Sequence, residues 1–333
     1  MRPPRKKPVQ RAILPLAALL LLLAILCRAC ETVHDRTERA EENLPALQIC
    51  LLDHESGELL TMDLEEYLVH VVAAEMPASF APAALQAQAI AARTYTLRRL
   101  PPYGQPKHGQ ASLCTDSACC QAYRNTAELR ESWGHDFAAN EGKIRDAVAA
   151  TAGIVLCYQG ALAETPFHST CGGSTEAAAD CWQTDIAYLQ PVACAWDMHS
   201  PRFTSSRSLS LEEAAALLDL SVEELRSLQP AGDTAGGRLR TAMAGGKSWR
   251  GTELRSLLGL DSAAFRWLIL GERIIFTSVG YGHGVGLCQY GADGMATAGY
   301  SSAQILSHYY PGTALGRLTA EGILAAPAAA SAP

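Results

Sequence analysis

The sequence predicts an α+β fold with a single N-terminal transmembrane helix. This helix precedes a domain of mixed helices and antiparallel strands, which carries a smaller inserted α+β subdomain. Three observations predict this: an apolar run after a basic N-terminus, two long helical patterns set among alternating strand patterns, and a change in composition over residues 200–265. With 333 residues and 48% hydrophobic content, the chain can bury one large core or two smaller ones.

The N-terminus holds five basic residues and no acid in its first eleven positions, followed by an apolar run over residues 12–27. We expect a cytoplasmic basic segment over 1–11, a membrane anchor over 12–28 and a charged tether over 29–43. A cleaved signal peptide is the alternative, but no small-x-small cleavage site precedes Arg28. The prediction is a single-pass protein of the cell membrane whose C-terminal ectodomain lies outside the cytoplasm.

Charge and cysteine content narrow the classes of function. The chain has a net charge of −7 and its first eleven residues carry +5, which leaves −12 for the rest. An acidic ectodomain argues against nucleic acid as a partner. The 11 cysteines are an odd number, and their spacing is unlike that of a small disulfide scaffold. Metal binding therefore has to be weighed beside disulfide formation.

The first ordered elements are predicted to be a β-hairpin over 46–62 and two helices, over 64–75 and about 82–99. Asp63 is the expected N-cap of the first helix, with Glu66 placed as in a capping box. Pro77 disfavours helical dihedrals at the residue before it, so this helix ends at Glu75. Pro82 suits the first turn of the second helix, whose small residues allow another backbone to pack closely.

The rest of the main domain is predicted to contain a helix over 141–153, a second hairpin over 154–167 and a strand pair over 267–276. We assign 44–199 plus 266–320 to the main domain and 200–265 to the inserted subdomain, a candidate docking site for protein partners. Residues 321–333 are rich in Ala, Pro and Ser, and we expect a disordered tail there.

Glu75 is the first candidate for chemistry. It follows the apolar stretch VVAA and precedes Met-Pro, so it is expected on the buried side of its helix. A partly desolvated carboxyl has a raised pKa and can act as a general acid. The alternative is a solvated carboxylate at a helix end.

His108, Cys114 and Cys120 form the second candidate, with the spacing H-x5-C-x5-C in a loop. One imidazole and two thiolates suit a tetrahedral zinc site. The adjacent Cys119 could compete as a ligand, and a disulfide to a distant partner or free thiols are the alternatives.

Two glycine-bearing loops complete the candidates. In HSTCGG, Cys171 near His168 suggests a thiol nucleophile, but no Asn or Asp orienter is evident, and a tight turn is the alternative. In GYGHGVG, over 280–286, alternating glycines allow close backbone approach to a ligand or a strand. This loop lacks the phasing of a dinucleotide fingerprint and the Gly-Lys-Ser/Thr of a phosphate loop. A sharply bent core loop is its alternative.

These pieces in this order resemble the stage II sporulation protein D family, which includes amidase-enhancer domains. The matching segments are YLVHVVAAEMPASFAPAALQAQAIAARTYTL, CTDSACCQAY, TPFHSTCGGSTE, GTELRSLLGLDSAAFRW and GYGHGVGLCQYGADGMATAGYSSAQILSHYYPGT. The resemblance implies a membrane-anchored lytic transglycosylase that cleaves peptidoglycan glycan strands during engulfment in endospore formation. The main domain, 44–199 plus 266–320, would then be the catalytic domain. The implied partners are glycan strands, a sporulation peptidoglycan amidase and a membrane protein of the engulfment complex.

The resemblance also assigns residue roles. Glu75 matches the catalytic acid of the family's A-E-M-P motif, and zinc, in a structural role, is implied at His108, Cys114 and Cys120. Cys171 departs from the family, where many members have Ser before Gly-Gly. The residues expected to contact substrate are Gln88, Arg93, His168, Ser169, Gly172, His283 and Gln289.

A single catalytic carboxylate favours an anhydro-forming reaction, because glycoside hydrolysis ordinarily needs two. Two rival functions stay open at this point. One is a non-catalytic glycan-binding activator of a peptidoglycan amidase, and the other is a zinc hydrolase acting on the peptide stem.

Overall fold

The computed structural model describes residues 47–319 and 322–325. Within those ranges, no helix has the length and apolar character needed to cross a membrane. The predicted membrane helix over 12–28 falls outside the described residues, as do the tether and most of the predicted tail. The fold class is therefore corrected: the fold is α+β, and the transmembrane helix included in the prediction is unsupported.

The helices alternate with short strands along the described chain. They are α1 (Leu64–Glu75), α2 (Pro82–Leu97), α3 (Thr126–Trp133), α4 (Phe137–Ala149), α5 (Ala178–Trp182), α6 (Leu211–Leu218), α7 (Val222–Arg226), α8 (Gly251–Leu257), α9 (Gln289–Thr297) and α10 (Ser302–Tyr309).

The strands that belong to the main domain are β1 (Gln48–Leu52), β2 (Leu59–Asp63), β3 (Leu113–Cys114), β4 (Ile154–Tyr158), β5 (Ala161–Leu162), β6 (Phe167–His168), β13 (Leu287–Cys288), β14 (Ala314–Thr319) and β15 (Gly322–Ala325). Those between them in sequence are β7 (Thr204–Ser210), β8 (Gln229–Pro230), β9 (Thr241–Ala244), β10 (Lys247–Arg250), β11 (Phe265–Leu270) and β12 (Arg273–Val279). Most neighbouring strands are antiparallel, and the β1/β3 and β6/β13 pairs are parallel.

Helix α2 is the centre of the main hydrophobic core. Its small residues Ala84, Ala87, Ala89 and Ala91 are fully buried, and helices α1, α4, α9 and α10 pack around it. Small side chains on several faces permit this close approach, as the sequence predicted. The same packing buries four polar side chains of α2: Gln88, Arg93, Thr94 and Thr96.

Helix α1 has the predicted bounds and the predicted N-cap. The carboxylate of Asp63 accepts hydrogen bonds from the backbone N–H groups of Glu65 and Glu66 at 2.8 and 3.3 Å. The capping-box partner differs from the prediction, because Glu66 instead pairs with Arg145 at 2.6 Å. At the other end Met76 is extended (φ −124°, ψ 142°) ahead of Pro77, and α1 stops at Glu75.

A second core lies within residues 204–279, called the inserted region from here on, and is built from β7, β9, β11, β12 and the helices α6 to α8. Its buried side chains run from Leu209 to Phe276, so it extends past the predicted range of 200–265 and includes the β11/β12 strand pair. Strand β7 pairs with β12 from Ser210 opposite Arg273 to Thr204 opposite Val279. The chain therefore enters and leaves this region at one end of a strand pair.

The β6/β13 pair brings the two glycine-bearing loops together. Cys288 lies opposite His168, and the backbone N–H groups of Thr170 and Tyr281 donate to each other's carbonyl at 3.0 and 2.8 Å. Because α9 begins directly after β13, this pairing also sets the position of the first residue of α9, Gln289.

Candidate functional site

Glu75 receives a hydrogen bond on each carboxylate oxygen. The backbone N–H of Ala122 donates to Oε1 at 2.8 Å, and Nε2 of Gln289 donates to Oε2 at 3.0 Å. Both donors are neutral. Three segments far apart in sequence, the end of α1, the loop after Cys120 and the start of α9, therefore meet at this one side chain.

The environment of Glu75 suits a proton donor. Burial raises the pKa of Glu75 by disfavouring the charged form, and the hydrogen bonds from Ala122 and Gln289 only partly oppose that rise. Its position in the last turn of α1 adds to the effect, because a helix C-terminus disfavours negative charge. A carboxyl that keeps its proton above the usual range can protonate a leaving group.

Gln88 and Arg93 are not placed as a sugar-binding surface, and that expectation is corrected. Gln88 is fully buried in α2, and its amide has no hydrogen-bond partner among the described residues. Arg93 is also fully buried and forms a bidentate pair with Glu65, at 2.7 Å from Nε and 2.6 Å from Nη2. Its Nη1 donates to the carbonyl of Ile154 at 3.1 Å. Arg93 thus ties α2 to the first turn of α1, at the opposite end of that helix from Glu75.

His168 and His283 lie side by side, with ring centroids 5.5 Å apart. Nδ1 of His168 is 3.2 Å from the carbonyl of Val285, and Nε2 of His283 is 2.8 Å from the carbonyl of Phe167. Burial lowers the pKa of His168 well below its usual range and that of His283 to about 4. Both imidazoles are therefore neutral at pH 7 and bonded to the backbone, and His168 is almost fully enclosed.

Ser169 and Gly172 are only partly buried, and both take part in loop structure. The carbonyl of Ser169 accepts from the N–H of Tyr290 at 3.0 Å, and the N–H of Gly172 donates to Asp197 at 2.8 Å. Gly172 has a φ of +75°, and a Cβ there would lie 2.7 Å from the side chain of Val279. The HSTCGG loop is thus held against α9 and the end of β12.

One cavity of about 200 Å³ lies away from Glu75, and its lining includes Glu176, Arg238 and His283. Glu75 is not among its lining residues. Among the described residues, the expected substrate residue that hydrogen-bonds to the Glu75 carboxylate is Gln289.

His108, Cys114 and Cys120 converge as the spacing predicted, and Cys119 joins them. One ligand atom from each of the four lies within 4.8 Å of the others. Nε2 of His108 is 3.4 Å from Sγ of Cys120 and 3.6 Å from Sγ of Cys119. We call these four residues the loop cluster. Their donor set is one that could hold a metal ion, and Cys119, considered only as a competitor, completes it.

A second cluster was not predicted from the sequence. Cys171, Cys194, Asp197 and Cys288 are all buried, and their ligand atoms also lie within 4.8 Å of one another. We call these four residues the core cluster. Its members come from three separate segments, so no local spacing could have indicated it. The only sequence signal was Cys171 itself, a cysteine where a serine was expected.

Comparisons with known proteins agree with the resemblance. A family model described as "Stage II sporulation protein" matches residues 53–158. The chain is 40% identical over 250 residues to stage II sporulation protein D of Bacillus amyloliquefaciens, covering 75% of this chain and 73% of that protein. It is 39% identical over 251 residues to stage II sporulation protein D of Bacillus subtilis (strain 168), with the same coverage.

A more distant relative is named an amidase enhancer. The chain is 27% identical over 300 residues to this protein of Bacillus subtilis (strain 168), covering 74% of this chain and 39% of that protein.

Proposed function

Because the chain belongs to the stage II sporulation protein D family, we propose that it is a lytic transglycosylase acting on peptidoglycan. It cleaves the bond between N-acetylmuramic acid and N-acetylglucosamine in glycan strands and leaves 1,6-anhydro ends. The reaction belongs to septal peptidoglycan remodelling and engulfment during endospore formation.

The observation that carries this proposal is the environment of Glu75. Its carboxyl has a raised pKa and is held by two neutral donors, Ala122 and Gln289. Neutral donors orient a carboxyl in either protonation state, whereas a paired cation would hold it ionised. Glu75 is thus suited both to give a proton and to take one back.

The second supporting observation is the set of causes behind the pKa shift of Glu75. Among the described residues, burial raises the pKa of Glu75, the hydrogen bonds from Ala122 and Gln289 lower it, and no other carboxylate contributes to the shift. Hydrolytic glycosidases place a second carboxyl about 5 to 9.5 Å from the acid. A partner that close would add like-charge repulsion to the causes of the shift.

A single carboxyl is sufficient when the nucleophile belongs to the substrate. Glu75 gives its proton to the glycosidic oxygen, and the bond between that oxygen and C1 of N-acetylmuramic acid breaks. The C6 hydroxyl of the same sugar forms the new bond to C1. Its proton returns to the Glu75 carboxylate, which restores the acid. Because the nucleophile is intramolecular, its proximity replaces a positioned water molecule and a second base.

We propose further that the loop cluster holds one structural Zn²⁺ ion through His108, Cys114, Cys119 and Cys120. Three sulfurs and one imidazole are a donor set that zinc prefers. When bound, the ion supplies a cross-link within the loop. Ala122 is two residues beyond Cys120, so this cross-link would fix the N–H that donates to Glu75.

The relation to an amidase enhancer supports a second candidate. In this alternative the chain binds glycan without cleaving it and activates a peptidoglycan amidase. In either case we propose a sporulation amidase and a membrane protein of the engulfment complex as partners. The inserted region is the proposed docking site, since it exposes apolar side chains such as Leu257, Leu268 and Leu270.

The test is digestion of purified peptidoglycan, intact or stripped of stem peptides, with the full chain, followed by mass spectrometry. We expect anhydro-muropeptides from the wild type and a loss of at least about 10³-fold with Glu75→Gln. Glu66→Gln is the matched control, because it is the same change on the same helix at an exposed ion pair.

Three results would contradict the transglycosylase. Normal amounts of anhydro product from Glu75→Gln would show that Glu75 is not the catalytic acid. Absence of glycan cleavage by the wild type, with glycan binding retained in Glu75→Gln, would favour the amidase activator. Stem-peptide cleavage that chelators abolish would instead indicate a zinc hydrolase.

A further inference from the structure

The core cluster joins three parts of the main domain. Cys171 lies in the loop after β6, Cys194 and Asp197 lie in the coil that precedes the inserted region, and Cys288 ends β13 and caps α9. All four side chains are buried, with Asp197 and Cys288 fully enclosed. Buried polar side chains need hydrogen-bond partners or counter-charges.

Asp197 is not satisfied by the protein alone. Its Oδ2 accepts from the N–H of Gly172 at 2.8 Å and lies 3.1 Å from Sγ of Cys171. Its Oδ1 is buried with no hydrogen-bond partner, and no Lys, Arg or His within the described residues forms an ion pair with it. A buried carboxylate without a cation is strongly unfavourable, and buried charges are ordinarily paired or coordinate a metal.

Backbone groups hold Sγ of Cys288 in place within the core cluster. Sγ of Cys288 accepts hydrogen bonds from the backbone N–H groups of Cys171 and Gly291, both at 3.3 Å. Sγ of Cys288 also lies 3.6 Å from Oδ2 of Asp197, so one sulfur and the carboxylate converge directly. Gly291 is required here, because a Cβ at that position would lie 2.1 Å from Oη of Tyr309 and 2.7 Å from Sγ of Cys194.

We propose that Cys171, Cys194, Asp197 and Cys288 bind a second Zn²⁺ ion. A tetrahedral site with Zn–S bonds of about 2.3 Å has its sulfurs about 3.8 Å apart, which is compatible with ligand atoms that lie within 4.8 Å of one another. Four protein ligands leave no open position, so the role is structural. A disulfide would consume only two of the three sulfurs and would leave the carboxylate of Asp197 without a cation.

The ion would fix the geometry on the opposite side of Glu75 from the loop cluster. Gln289, which donates to Oε2 of Glu75, directly follows the ligand Cys288. The inserted region reaches the same place, because Nη2 of the buried Arg238 donates to the carbonyl of Cys171 at 3.1 Å. This inference concerns metal binding alone and does not rest on the proposed activity.

The test is the zinc content of the full chain, purified without chelator or reductant and measured by mass spectrometry of the element. We expect two equivalents in the wild type and one in His108→Ala/Cys120→Ser, which removes the loop cluster. Adding Asp197→Asn to that double variant should remove the remaining equivalent. Cys157→Ser, a buried cysteine outside both clusters, is the matched control and should keep two.

A second measurement leaves all four core-cluster ligands in place, so it does not depend on whether the Asp197→Asn variant folds. The His108→Ala/Cys120→Ser protein is reconstituted with Co²⁺, and tetrahedral thiolate ligation should give sulfur-to-cobalt charge-transfer absorption and strong visible bands. Three results would overturn the proposal: a zinc-free double variant that is folded by circular dichroism, absence of those cobalt bands, or a disulfide between any two of Cys171, Cys194 and Cys288 in peptide mass spectra.

Discussion

The two ends of helix α1 carry the same residue type in opposite settings. Glu65 lies in the first turn, where the helix favours negative charge, and both its oxygens pair with the buried guanidinium of Arg93. Glu75 lies in the last turn, about 15 Å away along the axis, and meets only neutral donors. A carboxylate locked to a cation stabilises a fold, whereas one held by neutral groups remains free to exchange a proton.

The largest expected effect is a loss of stability when the Glu65 end of α1 is altered. Glu65→Ala leaves the fully buried Arg93 without its counter-charge, which should lower the free energy of unfolding by about 2 to 3 kcal/mol. Urea denaturation measures the loss. The rate of glycan cleavage per folded molecule should be unchanged. An unaltered midpoint would show that Arg93 does not depend on the pair.

An intermediate effect, on catalytic activity, is expected when the Glu75 end of α1 is altered. Gln289→Ala removes a hydrogen bond that lowers the pKa of Glu75, so that pKa should rise further. A weaker acid should reduce the rate about tenfold, and the alkaline limb of the pH–rate profile should move to higher pH. A reduced rate with an unmoved limb would mean that Gln289 acts through something other than Glu75.

The smallest effect is the pH dependence of stability. Below the usual value of 4.5, Glu75 is protonated in both folded and unfolded chains. As the pH rises from 4.5 through the raised pKa of the folded state, only the unfolded chain loses its proton, so the free energy of unfolding falls. Glu75→Gln should lack this fall. Parallel curves of unfolding free energy against pH for the two proteins would contradict the raised pKa.

The elements whose determinants are local in sequence have their predicted structure. Helix α1 has its predicted ends because Asp63 caps one and Pro77 terminates the other. The loop cluster was predictable because its ligands lie within a single short stretch of sequence. That Cys119 belongs to it is visible only in the structure.

The failures came from contacts between distant segments. Arg93 was expected to face a sugar, but α2 is buried on several sides, and its guanidinium bonds to Glu65, to the Thr151 hydroxyl and to backbone carbonyls instead. The core cluster was missed because the β6/β13 pairing, not any spacing, brings Cys288 beside Cys171. Hydrophobic periodicity predicts which face of a helix is buried, but it does not predict which element covers that face.

The closing of the inserted region at Thr204 and Val279 has a consequence for the order of folding. Once β7 pairs with β12, the segment that separates Cys194 from Cys288 behaves as a roughly fivefold shorter loop, which lowers its closure cost by about 1.4 kcal/mol. Early formation of the second core would therefore lower the entropic cost of folding the main domain. The kinetics of assembly around Glu75 would then depend on a region that contributes no atom to the carboxylate's immediate surroundings.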